Sequence, residues 1–73
     1  MDLFEEQCNR FESLHKMFKT KMWVAGAIEN DLSTLQLPEH LSLKLNIRHK
    51  SVMDEVDEVL DEMRRQLKLM EVA

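Results

Sequence analysis

The 73-residue sequence has one glycine, one proline and no tyrosine, so it lacks the turn punctuation on which short strands and β-hairpins depend. An all-β fold is disfavoured from the outset. Cys8 is the only cysteine, which excludes an internal disulfide. No apolar run approaches the roughly 20 residues that span a bilayer. Residues 1–6 are acidic where a secretory or transit signal would be basic. The expectation is an intracellular protein of the cytoplasm or nucleus, without membrane association. A positive excess is lacking too: the net charge of −4 works against general phosphate binding, which relies on clustered Lys and Arg.

Local motifs for chemistry are also missing. His15, His40 and His49 do not have the four-residue spacing that converges two ligands on one metal. Cys8 and His15 share a helical face, but two turns, about 10 Å, separate them. Asp54, Glu55, Asp57, Glu58, Asp61 and Glu62 form no calcium loop, since no glycine turn interrupts them. They read as a solvated helix face. There is no Gly-rich phosphate loop and no Ser-His-Asp or Cys-His order that stands out. The sequence therefore leads us to expect no enzyme, metal, cofactor or small-molecule substrate.

What the sequence does contain is helical periodicity. Phe4, Phe11, Phe18, Ala25 and Leu32 recur every seven residues, with Leu14, Ile28 and Leu35 three positions after members of that series. Gln7 and Lys21 interrupt the second series, while Leu3, Met17 and Val24 widen the stripe. Asp2 is a candidate N-cap, with Glu5 and Glu6 placed to favour the helix dipole. A second stripe runs through Leu45, Val52, Met53, Val56, Val59, Leu60, Met63, Leu67 and Met70, wide enough to touch two neighbours. Its helix starts either near Pro38, where proline suits a first turn, or at a break near 48–51, where Ser51 and Asp54 resemble a capping box. Leu41, Leu43, Leu45 and Ile47 alternate with polar residues as a half-buried strand would. A lone strand has no partner within the chain, so a helix with two apolar sides is favoured, the alternative being an intermolecular strand.

The spacing predicts one all-α domain over residues 1–73: a helix over about 3–31, a turn over about 32–38 and a helix over about 39–71. The two helices form an antiparallel hairpin. Reversal near 34–38 sets side by side positions whose numbers sum to about 72. Lys16, Lys19 and Lys21 then meet Asp54, Glu55, Asp57 and Glu58; Arg10 meets Asp61 and Glu62; and Asp2, Glu5 and Glu6 meet Arg64, Arg65 and Lys68. Exposed pairs are worth at most about 1 kcal/mol each, so this order selects orientation more than it stabilises. The expected hairpin core is Phe4, Phe11, Leu14, Phe18, Val52, Val56, Val59, Leu60, Met63 and Leu67.

The stretch Met22, Trp23, Val24, Ala25, Gly26, Ala27 and Ile28 is apolar all round, and one facing helix cannot cover it. Met22, Trp23, Val24, Gly26, Ala27 and Ile28, with Leu41, Leu43, Leu45 and Ile47, form the expected interface, and Trp23 is its anchor. The hairpin is thus expected to complete a three- or four-helix, coiled-coil-like bundle with another protein chain, in a hetero-complex or a homodimer. The implied function is a noncatalytic interaction and oligomerisation module, a structural subunit, adaptor or scaffold. The alternative is a small dimeric nucleic-acid-binding regulator using Lys44, Arg48 and Lys50, with Lys16 and Lys19 as further contacts.

Overall fold

Steps of three and four between apolar residues continue on both sides of Pro38, and each side forms one unbroken helix. In the computed structural model, which describes residues 3–72, α1 is Leu3–Thr34 and α2 is Glu39–Val72. Asp2, the expected N-cap, lies outside the described residues. At about 1.5 Å per residue each helix is close to 50 Å long, and the antiparallel pair is a rod of 53 × 15 × 14 Å.

The turn is made locally. The Asn30 carbonyl oxygen near the end of α1 accepts from Ser33 Oγ at 3.1 Å and Thr34 Oγ1 at 2.6 Å, and the Leu35 amide donates to the Asp31 carbonyl. These bonds occupy carbonyls that a helix end otherwise leaves open. Residues 35–38 then cross to α2. The Pro38 carbonyl accepts from the Leu41 and Ser42 amides at 3.1 and 3.0 Å, so Pro38 opens α2 at a position where its missing N–H costs nothing.

Residues 41–47 and 48–51 are helical throughout. This sets aside both the strand pairing and the start at Ser51. The alternating stretch supplies two helical columns, Leu41 with Leu45 and Leu43 with Ile47, each separated by four residues.

Among the described residues, the buried apolar side chains are Ala25, Ile28, Val56 and Val59. Phe11, Leu14, Phe18, Val52, Leu60 and Met63 are half-buried. Two expected core residues are corrected: Phe4 is 55% exposed and Leu67 44%, because both sit on the flank of their helix and a single facing helix covers only the seam. Ile28, expected at an outer interface, is instead 6% exposed and belongs to the hairpin's own core.

Polar residues cross the seam at both interruptions, to the Lys21 side chain and to the Gln7 backbone. Lys21 Nζ donates to Glu55 Oε2 at 2.9 Å, and Gln66 Nε2 donates to the Gln7 backbone carbonyl at 3.4 Å. His49 and Glu29 make a third crossing at 2.7 Å. The numbers of these pairs add to 76, 73 and 78, against about 72 expected, a shift of up to about 9 Å along the helix at the turn end. The outer charge block falls partly outside the described residues, since Asp2 does. Arg64 and Arg65 pair along their own helix with Asp61 at 3.5 Å and Glu62 at 3.1 Å, since exposed neighbours one turn away are nearer than the other helix.

Candidate interaction surface

Two cross-helix side-chain contacts, Glu29–His49 and Lys21–Glu55, identify which flanks share a face. On α1, Phe4, Cys8, Phe11, His15, Phe18, Met22, Gly26 and Glu29 follow at steps of three or four, which is one helical column. On α2, His49, Met53, Val56, Leu60, Met63 and Leu67 do the same. The 2.7 Å contact between Glu29 and His49 joins the loop-side ends of these columns. They therefore line one face of the rod. The Lys21–Glu55 bridge marks the opposite face, which carries Arg10, Glu58, Glu62 and Arg65 and a shallow groove lined by Asn9, Arg10, Ser13, Leu14, Glu62 and Gln66.

The two faces differ in chemistry. The first holds all three phenylalanines of the chain, with Met22, Met53, Leu60 and Leu67. Phe11 stacks on His15 with ring centroids 6.2 Å apart. Phe4, Met22 and Leu67 are exposed, at 55%, 40% and 44%, and Met53 and Leu60 are half-buried. Gly26 lies at the edge of this face, and a Cβ built on it meets no heavy atom within 4 Å. The opposite face mixes charge with apolar side chains: Leu3 and Met17, in one column with Arg10 and Val24, are 65% and 49% exposed.

The residues singled out in the sequence do not form one patch. Trp23 is two residues from buried Ala25, about 200° round the helix, and is 75% exposed. Ala27 lies beside it. Leu43 and Ile47 stand two residues either side of half-buried Leu45, and are 57% and 68% exposed on the outer side of α2. Trp23 and the Leu43–Ile47 pair therefore point away from each other across the rod. Met22 and Gly26 belong to the aromatic face, Val24 and Leu45 are half-buried, and Leu41 is 40% exposed near the turn.

The aromatic face was missed as a unit in the sequence. Its signal was the seven-residue phenylalanine series together with a second stripe too wide for one neighbour. The basic patch divides as well: Lys44 and Arg48, four residues apart, share a side of α2, whereas Lys50, two residues after Arg48, is about 200° away. No family model, curated protein or solved structure matches the chain. Among the described residues, no three His, Cys, Asp or Glu side chains gather where they could hold a metal ion, and no helix is long and apolar enough to cross a membrane.

Proposed function

We propose that this chain is a noncatalytic interaction and oligomerisation module, a structural subunit or adaptor whose hairpin completes a three- or four-helix, coiled-coil-like bundle with another protein chain. The aromatic face is the observation that carries this reading. It runs the length of the rod, and its large apolar side chains are left half-buried or exposed by the only helix available to cover them. A contiguous apolar surface of this kind marks an association site.

Energetics point the same way. Ordering a chain costs about 1.5 kcal/mol per residue, and chains below about 80 residues seldom offset that without a disulfide, a metal or association. Four buried apolar side chains among the described residues are a small core. Covering the aromatic face with further helices would supply the rest.

Sedimentation of the purified chain at micromolar concentration tests the proposal. Met22→Glu places a charge where the isolated hairpin leaves the side chain 40% exposed, so it should spare the hairpin yet weaken assembly at least about tenfold, the cost of burying an unpaired charge being well above 1.4 kcal/mol. Trp23→Ala, on the outer side of α1, should leave assembly intact. If the required chain is a different protein, the purified chain is instead partly unfolded or aggregated. A well-folded monomer indifferent to Met22→Glu would rule the function out.

A further inference from the structure

We infer that the occupant of the aromatic face is a second copy of this chain, related by a two-fold axis parallel to the helices. Each α1 then lies beside α2 of the other copy, and both turns are at the same end of a four-helix bundle. The inference rests on the reading of that face as an interface. It is carried by the charges along the rim of the face.

Among the charged residues that directly follow residues of the two columns are Glu5, Glu12 and Lys19 on α1 and Asp57, Arg64 and Lys68 on α2. All six are exposed. Lys16, Lys50, Asp54 and Asp61 take the same place, and at the same heights meet no like charge. The numbers of Glu12 and Arg64 add to 76, as do those of Lys19 and Asp57, which is the height relation of the Lys21–Glu55 bridge. Glu5 and Lys68 add to 73, the relation of Gln7 and Gln66 at the open end. With the turns at one end, α1 of one copy meets α2 of the other at equal height. Glu12 then faces Arg64, Lys19 faces Asp57 and Glu5 faces Lys68 of the second copy, opposite in sign each time. Glu12, Lys19 and Asp57 make no ion pair among the described residues, and Arg64 is held only by a 3.5 Å contact to Asp61 with both side chains well exposed.

The competing two-fold arrangement has its turns at opposite ends and sets α1 against α1. With the hairpins centred on each other, Lys19 meets Lys19, Asp57 meets Asp57 and Arg64 meets Lys50, so like charges oppose at each of these positions. Like-charge juxtaposition is an effective device against a wrong arrangement.

Two variants test this by mixing. Glu12→Arg alone and Arg64→Glu alone each create two like-charge contacts in a self-pair and should weaken self-association by about tenfold. Mixed one to one, they restore opposite charges at both contacts, and the mixed pair should regain wild-type affinity. No recovery on mixing overturns the inference. A spin label on Gln36→Cys, in a Cys8→Ala background whose self-association matches wild type, provides an independent readout: turns at one end give a separation within about 25 Å, turns at opposite ends about 50 Å. The longer distance also overturns it. If the wild-type chain is monomeric, the second copy is excluded, and the monomer separates the two ideas. A partly unfolded monomer leaves the interface reading in place, whereas a well-folded one removes both.

Discussion

His49 Nε2 lies 2.7 Å from Glu29 Oε1, joining two positions 20 residues apart across the turn. This contact determines that the phenylalanine column of α1 and the Met53–Leu60–Leu67 column of α2 share a side of the rod. Together with Lys21–Glu55 on the other side, it fixes the rotation of each helix about its own axis. These exposed polar contacts contribute little energy and much orientation.

Charge exchange should reveal that role. Lys21→Glu should cost about 1 kcal/mol, since its 26%-exposed side chain leaves it more sheltered than the usual surface pair. Adding Glu55→Lys should recover most of the loss. Denaturant unfolding of both single variants and the double variant provides the check, and strictly additive losses would show that the two residues do not interact.

Burial predicts a clear ranking of apolar substitutions. Val56, at 2% exposure, should lose about 1.5–3 kcal/mol on truncation to alanine, from lost burial and the cavity left behind. Leu43→Ala removes a larger side chain, but one 57% exposed on the outer side of α2, and should stay within about 0.5 kcal/mol. Equal losses at the two sites would contradict the placement of the core.

Gln66 is a buried polar side chain at 7% exposure, held by one long bond to the Gln7 carbonyl, and Gln7 Oε1 is itself buried without a partner. Such groups specify register at a cost in stability. Gln66→Leu should therefore raise the unfolding free energy by about 1 kcal/mol. A loss of similar size in equilibrium unfolding would show that the amide stabilises the open end.

Gly26→Ala separates helix propensity from packing. With open space around the added methyl in the hairpin, α1 should gain up to about 1 kcal/mol. If another helix approaches closely at the edge of the aromatic face, the same methyl weakens assembly. The expected outcome is higher helicity in the dissociated chain with weaker self-association, measured by circular dichroism and sedimentation on the same samples. Unchanged association would place Gly26 outside the contact.

The two helices and their reversal could be read directly in the sequence, because apolar steps of three and four and the one proline are local signals. The sign order that brings Lys21 to Glu55 was legible for the same reason. The faces were not. Periodicity assigns angles within a helix, but which flank of α1 meets which flank of α2 depends on tertiary packing, and that separated Trp23 from Leu43 and Ile47. Leu41, Leu43, Leu45 and Ile47 were ambiguous because two helical columns interleave there as a period of two. Phe4 and Leu67 fit the core stripe by number, yet lie on its flank, where only a further helix would cover them.

The most direct test of the aromatic face is helix melting followed by circular dichroism over about a hundredfold range of chain concentration. Association stabilises the folded state by mass action, so the melting temperature should climb steadily with concentration in the wild type and lose that dependence in Met22→Glu. A wild-type melting temperature that stays constant across the range, with the chain fully helical at its lowest concentration, would contradict the account.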